Sequence, residues 1–369
     1  MAQPSDTPEN QAAWLLASKA TLTVGPAPYN PPGPGQLVVR SHALGINPID
    51  WAKQLLGDAI LPHIRYPTIM GEDVAGTVVA VGDGVTRFRV GDRVLAVAAV
   101  IPSNSYPEGG FQHYTVVREW LTTPLPENIS FERACVLPLA LITSSLGLFG
   151  KDYLGLDLPT VPPPPPPPPA APATSATGDG RTPSRVVIIA AGASAVGGTA
   201  VQLAASAGYE VISTSSPKNF EYVKRLGATH VFDYKSASIV DDLSAAVRGR
   251  QLCGCFSIGD GTADVLGEVL TRHEGPGPTC ITIARAEGKH SIESGSGVDV
   301  KFVLISPDVI GPESPVRPIF QEFLPRALAE GQFVPAPEPE VVGKGLDKVQ
   351  DAFMVHRQGV SAKKVVVAL

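Results

Sequence analysis

The stretch Ala191-Gly-Ala-Ser-Ala-Val-Gly197 has the residue types to hold a phosphate. Before it stands Arg185 to Ala190, a nearly pure apolar run of the kind that forms a parallel strand buried on both faces. After it Val196, Ala200, Leu203, Ala204 and Ala207 fall on one helical face, and Gly208 is placed to end that helix. Between strand and helix, Gly192 permits a tight turn, Gly197 lets helix and strand approach closely, and Ala193, Ser194, Ala195 and Val196 form the crest of the loop. A helix start offers free N–H groups and a partial positive charge, which suits a pyrophosphate. Ser194 stands where a glycine-rich fingerprint carries its middle glycine. The flanking strand and helix therefore carry the expectation of dinucleotide binding more than the glycines do.

The next strand, Glu210 to Thr214, should end where a dinucleotide fold places an acid for the ribose 2′-hydroxyl of NAD. This chain reads Ser213-Thr-Ser-Ser-Pro-Lys218 there, with no acid. A carboxylate would repel a 2′-phosphate by about 1–4 kcal/mol at about 4 Å. Ser215 and Ser216 instead offer hydroxyls and Lys218 a charge, which favours NADPH. Ser216 also has the chemistry to cap the following helix, with Pro217 at its first position, and both uses share one helix end.

The elements that must position this loop fall into zones. The chain has 369 residues, enough for two domains. Residues 11 to about 150 are short β-type runs between Gly, Pro and Asp: Leu37 to Arg40, Val74 to Val81, Arg93 to Val100 and His113 to Val117. Pro159 to Pro183 contains the unbroken run Pro162 to Pro169, which reads as an extended polyproline II surface loop. It is either a low-complexity insertion or a ligand for an SH3-like or WW-like partner. From Arg185 the pattern alternates strand and helix, with a helix over Lys218 to Leu226 and a third strand over His230 to Tyr234, which implies right-handed βαβ units. In the tail Leu346, Val349 and Phe353 mark a short helix, and Lys364 to Ala368 a final strand free to pair with the first domain.

Composition narrows the class. A net charge of −6 argues against nucleic acid as a partner. The greasiest window, Ala134 to Phe149, is interrupted by Pro138, Thr143, Ser144 and Ser145, so no membrane span is expected. The opening MAQPSDTPEN has neither the basic start nor the apolar core of a secretory signal, and a cytoplasmic protein is the expectation. Cys135, Cys253, Cys255 and Cys280 form no C-x-x-C pair, no disulfide framework and no structural zinc set.

Gly71-Glu-Asp-Val-Ala-Gly76, then Val81-Gly82, Gly84-Val85, Phe88 and Gly91-Asp-Arg-Val94, resemble the medium-chain dehydrogenase/reductase superfamily. With the loop at 191–197 and the run Ser-Ser-Pro-Lys-Asn-Phe, the chain resembles its zinc-independent branch, and within it the fungal CipB-like and ToxD-like enoyl-reductase-type oxidoreductases. The resemblance runs from about Ala12 to Leu369 outside the proline insert. It implies an α/β protein: a GroES-like, mostly β catalytic domain over 11–150 completed by 312–369, and a Rossmann NADP-binding domain with a doubly wound parallel sheet over 151–311. It also implies a frequent homodimer, a small-molecule substrate and an interdomain cleft.

Two departures from the alcohol dehydrogenase members bear on chemistry. Asn47, in Gly45-Ile-Asn-Pro-Ile-Asp50, stands where those enzymes carry a zinc-ligand Cys, and Glu72-Asp73 where they carry His-Glu. One carboxylate without Cys or His makes a poor zinc site. Without a Lewis acid for an alcohol, the easier hydride acceptor is electron-poor already: an enone, an enoyl thioester or a quinone. An NADPH-dependent reductase of activated double bonds in fungal secondary metabolism is the leading expectation. A ζ-crystallin-like quinone reductase and a non-catalytic NADPH-binding sensor or scaffold are the alternatives.

The resemblance puts Asn47, Asp50, Lys53 and Thr143 at the catalytic site. Asn47 has an amide to donate to a substrate oxygen, and Asp50 either acts there or holds the loop through backbone N–H groups. Lys53 follows the Asp-Trp pair one position later than in related enoyl reductases, and is otherwise an exposed surface lysine. Thr143 stands beside the nicotinamide or bonds back to a carbonyl one turn earlier. Tyr66 and His113 are further proton-donor candidates. Tyr234 is similar to family residues near the adenosine phosphate, and Ser257, Ile258 and Gly259 should approach the nicotinamide face through backbone.

Overall fold

The structure is a computed structural model that describes residues 8–164, 184–275, 277, 279–284, 291–292, 296–314 and 316–369. The proline run expected as a polyproline II loop lies, from residue 165 to 183, outside the described residues. The chain divides into two units, Met1–Leu139 with Ile305–Leu369, and Ala140–Leu304. The first division falls near the start of the helix Pro138–Phe149 rather than at its end, where the sequence pattern changes.

In the first unit seven strands form a largely antiparallel sheet. Its order is Glu338–Lys344, Lys363–Ala368, Gln36–Gly45, Asp73–Val81, Arg93–Val97 and Thr122–Pro124, with Tyr114–Arg118 also paired to Gln36–Gly45. The final strand does return: Val366 pairs with Gly45 and Ala368 with Ala43, antiparallel. Apolar side chains alternate inward, so Leu37, Val39, Leu44, Val74, Val78, Val365 and Val367 pack with Leu346, Val349 and Phe353 of the tail. Each such side chain contributes about 1.5–3 kcal/mol when buried. Arg93 to Val100 is not one strand, because the pairing stops at Val97 and Val100–Ser103 turns into a short helix ended by Asn104 at φ 51°.

The second unit holds six parallel strands in the order His230–Asp233, Glu210–Ser215, Arg185–Ile189, Gln251–Ser257, Cys280–Ile283 and Asp299–Phe302. In sequence terms this is 3-2-1-4-5-6, the doubly wound dinucleotide-binding arrangement, whose reversal beside Arg185–Ile189 makes a crevice at the strands' C-terminal ends. Val186, Ile188, Ile212, Leu252, Cys255 and Ile281 fill its core. The expected helix over Lys218 to Leu226 begins as a 3-10 turn, Pro217–Asn219, before the α-helix Phe220–Arg225. The segment Phe131–Phe149 is long and apolar enough to cross a membrane by composition, yet 78% of its window is buried inside the protein, as in a core helix.

Candidate functional site

The loop after Arg185–Ile189 is fixed by its neighbours before any ligand arrives. Ala191 N–H donates to Thr214 Oγ1 at 3.2 Å and Gly192 N–H to Thr214 O at 2.9 Å, so the end of the second strand clamps the turn. The residue with positive φ is Ala191, at 52°, and not Gly192. Gly192 is required by space instead, since a Cβ there would lie 2.3 Å from Ser213 Oγ and 2.7 Å from Val223 Cγ1. Gly197 has the close-approach role read from the sequence: its Cβ would meet Ala191 O at 2.1 Å. Ser194 caps the helix Ala195–Ser206, its Oγ accepting the Gly197 N–H at 3.0 Å. The serine in the fingerprint's middle position thus consumes one helix-start donor. Ala195 and Val196 keep N–H groups with no intrahelical acceptor, and Ala193 to Val196 remain partly exposed.

Next to Ala190, the residue before this loop, a recess opens among Thr214, Tyr234, Asp260, Gly261 and Thr262, backed by apolar side chains. Tyr234 is 46% exposed at its rim. Lys218 is exposed and Ser216 partly so, whereas Ser215 is buried with its Oγ unpartnered. Ser216 stands at the N-cap with Pro217 after it but makes no side-chain cap bond, so that hydroxyl is left for another acceptor. Ser257 is buried, its Oγ 2.5 Å from Thr262 Oγ1, and Ile258 is buried too. What the turn presents is therefore backbone, with Gly259 at φ 102°. In the same unit Thr143 is nearly buried and its hydroxyl makes no hydrogen bond among the described residues; the one-turn back-bond weighed for it is not formed. Its neighbour Ser144 donates instead to Val196 O at 3.0 Å.

The first unit gathers a different kind of site. Asn47 begins the helix Pro48–Leu56, and its N–H donates to Asp50 Oδ2 at 2.8 Å. Asp50 thus serves the loop geometry in the way its alternative reading stated. The Asn47 amide is engaged at both ends: Nδ2 donates to Asp73 Oδ2 at 2.9 Å, and Oδ1 accepts from Lys364 Nζ at 2.5 Å. Lys364 also pairs with Asp73 Oδ2 at 2.7 Å, and Asp73 Oδ1 accepts the Leu139 N–H at 2.6 Å. Three carboxyls, Asp50, Glu72 and Asp73, are buried here with one ammonium. Burial, then the Asp73 charge, pushes the Asp50 carboxyl up to about 7, against the pull of the Asn47 N–H and Lys364. Burial, then Asp50 and Asp73, holds Glu72 well above the usual carboxylate range. The Cys135 thiol is pushed up by the same burial and by Asp73.

Glu72 Oε1 is buried with no hydrogen-bond partner among the described residues. It lines a small recess walled by Val97, Ala98, Ile101, Leu139, Ile305 and Ile310. Sequence reasoning noted Glu72-Asp73 but missed Lys364, which lies 317 residues from Asn47 and looked like the first residue of an ordinary strand.

Lys53 is not the exposed surface lysine of the alternative reading: its side chain is fully buried. Its ammonium donates to Gly57 O, Asp58 Oδ1, Ile60 O and Leu61 O at 3.0–3.2 Å. Four acceptors exhaust its three protons, so its place in the proposed catalytic set is corrected to holding the turn at 57–61. Tyr66 donates to the same Asp58. His113 is lowered by burial and Arg40.

Comparisons with known proteins agree with this division. Residues 33–127 match the alcohol dehydrogenase GroES-like domain, and residues 195–266 match the family described as zinc-binding dehydrogenase. The dehydrogenase pigH of Monascus ruber is 42% identical over 98% of this chain and 100% of its own length. The trans-enoyl reductase himH of Aspergillus japonicus is 33% identical over 98% of this chain and 97% of its own. The crystal structure of an alcohol dehydrogenase superfamily protein from Novosphingobium aromaticivorans shares the fold, with TM-score 0.74 at 22% identity over 98% of this chain and 99% of that one.

The zinc in one family's description finds no suitable donor set here. At the positions that resemble the zinc site, an amide and a carboxyl replace thiolate and imidazole, and the Lys364 ammonium already neutralises Asp73. Among the described residues no three His, Cys, Asp or Glu side chains are arranged to hold a metal ion. A dinucleotide does fit, because the 191–197 turn is shaped by two glycines whose Cβ positions are occupied and by a helix start aimed past them. Sequence likeness over nearly the full length, the GroES-like and Rossmann halves and this cradle lead to one assignment: the chain belongs to the medium-chain dehydrogenase/reductase superfamily of oxidoreductases.

Proposed function

We propose that the chain is an NADPH-dependent reductase of activated carbon–carbon double bonds, with an enone or enoyl ester as substrate and no metal in the reaction. The observation that carries this reading is the Asn47–Asp73–Lys364 triad, in which an internal ammonium takes up the charge a bound cation would otherwise balance. Such a site has no Lewis acid for an unactivated alcohol, so the acceptor must already be electron-poor. Kinship to a trans-enoyl reductase supports the same class.

A bound reduced nicotinamide supplies a hydride from its C4. The protein's part is to bind and orient. The N–H groups of Ala195 and Val196, at the helix start, would hold the pyrophosphate. Ser216 and Lys218 would receive the 2′-phosphate, Tyr234 would pack at the adenosine end, and Thr143 with the backbone at 257–259 would position the nicotinamide. Steady-state rates with an enone, an enoyl thioester, a quinone and a simple alcohol, each with NADPH and NADH, test the proposal. The expected order places enoyl or enone with NADPH first. Alcohol turnover with NADP+ at a matching rate overturns it, and a quinone preferred over both places the chain with the quinone reductases.

A further inference from the structure

The helix Pro138–Phe149 belongs, from Ala140 onward, to the parallel-sheet unit, and two of its turns are anchored to different parts of that unit. One anchor is Gly147. A Cβ there would lie 2.9 Å from Phe256 Cε2 and 3.1 Å from Val303 Cγ2, and Gly147 O accepts the Thr282 hydroxyl at 3.3 Å. Phe256 precedes Ser257, so this contact seats the helix against the strand that runs into the turn at 257–259. The other anchor is Ser144. A serine inside a helix ordinarily bonds back to a carbonyl one turn earlier. Ser144, fully buried, instead donates to Val196 O at 3.0 Å, in the first turn of the helix Ala195–Ser206. That carbonyl belongs to the peptide whose N–H, on Gly197, donates to Ser194 Oγ at 3.0 Å. One peptide unit at the helix start is therefore gripped at both its oxygen and its nitrogen, next to the Val196 N–H. On one side of Ser144 stands Thr143, whose hydroxyl makes no hydrogen bond among the described residues. On the other stands Ser145, buried, with an Oγ that has no partner among them either. Of three successive hydroxyls, the middle one crosses to the phosphate turn.

Resting on the coenzyme placement proposed above, we infer that Ser144 is a positioning residue: its hydrogen bond to Val196 O fixes the spacing between the helix start that would hold the pyrophosphate and the Thr143 hydroxyl that would meet the nicotinamide. A dinucleotide must satisfy both places at once. If the two drift independently, their relative position has to be ordered at the moment of binding, and affinity falls. A fragment that reaches only the helix start is indifferent to that spacing. The 2′-phosphate belongs to the adenosine end, so the effect falls on NADPH and NADH alike. Ser144 touches neither coenzyme nor substrate in this role. It acts through the 196–197 peptide on one side and through its own helix on the other.

The test titrates the full chain by calorimetry with NADPH, with NADH and with 2′-phospho-ADP-ribose, the coenzyme without its nicotinamide. Ser144→Ala and Ser145→Ala each remove one oxygen and raise helix propensity, so both variants keep the fold. Ser144→Ala should weaken NADPH by about three- to tenfold, the range of one lost hydrogen bond, and NADH by the same factor. The fragment should bind wild type and Ser144→Ala equally. Ser145→Ala, which deletes a buried hydroxyl that joins nothing, should leave all three affinities unchanged. Unchanged NADPH affinity in Ser144→Ala overturns the positioning role. So does a loss shared in full by the fragment, which would confine the effect to the phosphate turn. A loss matched by Ser145→Ala overturns it too, since any loosening of the helix would then suffice. Wild-type protein that binds neither coenzyme nor fragment overturns the coenzyme placement itself, and does so without any substitution.

Discussion

In the parallel-sheet unit the candidate site is built by backbone: a turn clamped by Thr214, two glycines with no room for a Cβ, and the first N–H groups of a helix. In the antiparallel unit the candidate site is built by side chains from three separate segments, Asn47 with Asp50, Glu72 with Asp73, and Lys364, joined by the backbone N–H of Leu139. The first kind of site tolerates many side chains on its crest and very few at its two glycines. The second depends on every member, because removing one leaves a buried charge or dipole without its partner. The teaching of the contrast is where each unit is fragile.

The largest effect should come from breaking the side-chain site. Lys364→Met leaves the Asp73 carboxylate buried without its cation and should cost about 3–5 kcal/mol, read as a drop in denaturation midpoint. Adding Asp73→Asn should recover much of that loss, since the variant then buries no uncompensated charge. A double variant no better than the single one would show that Lys364 acts through packing instead.

Next comes the backbone site. Gly197→Ala places a methyl 2.1 Å from Ala191 O, where only movement of the helix start or the turn relieves it. A loss of about 1–3 kcal/mol in stability is expected, together with at least tenfold weaker coenzyme binding by calorimetry. Ser194→Gly, by contrast, removes a cap but opens a donor, and should cost only a few tenths of a kcal/mol.

The same contrast explains what was legible in the sequence. A backbone site is local: Ala191 to Gly197 lies between a buried strand and an amphipathic helix, and all three are contiguous, so periodicity exposes them. Even there the roles were exchanged, because φ at Ala191 and the space at Gly192 depend on Thr214, Ser213 and Val223 from other elements. The open parallel sheet followed from alternation and handedness, whereas its strand order, 3-2-1-4-5-6, came from the structure. The carboxyl cluster was half-read. Asn47, Asp50 and Glu72 stand in motifs, but Lys364 is brought to them by the pairing of Lys363–Ala368 with Gln36–Gly45, which no local pattern encodes. Lys53 was misjudged for a related reason: its burial is set by the turn at 57–61 folding back over the helix end, and a lysine in an amphipathic stretch gives no sign of that.

A smaller, pH-dependent effect sharpens the side-chain half of the comparison. Asp50 is held up to about 7, above the ordinary carboxylate value of 3.8, so between those pH values the native state binds more protons than the unfolded chain. Stability therefore falls as pH rises through that window and levels off above it. Asp50→Asn keeps an acceptor for the Asn47 N–H and removes the titration. Its advantage over the parent protein should be absent near pH 4 and reach at least ~1 kcal/mol near pH 8, measured by denaturant titration at each pH. A variant curve parallel to the parent's throughout would place the proton on another member of the cluster.

The smallest effect belongs to the exposed cation of the coenzyme end. Lys218 is solvent-exposed after the second strand, so the pairing with a 2′-phosphate that we propose for it would be screened and contribute at most ~1 kcal/mol, or about fivefold in affinity. Lys218→Ala should weaken NADPH binding by that factor, leave NADH unchanged, and lose most of its effect at high salt. The same charge type thus stands in two settings: Lys364 is enclosed and its removal should threaten the fold, whereas Lys218 is in water and its removal should, on the proposed reading, change only which coenzyme is preferred. If Lys218→Ala weakens both coenzymes equally, the lysine steers by general charge, and the preference for the extra phosphate must come from the Ser216 hydroxyl beside it.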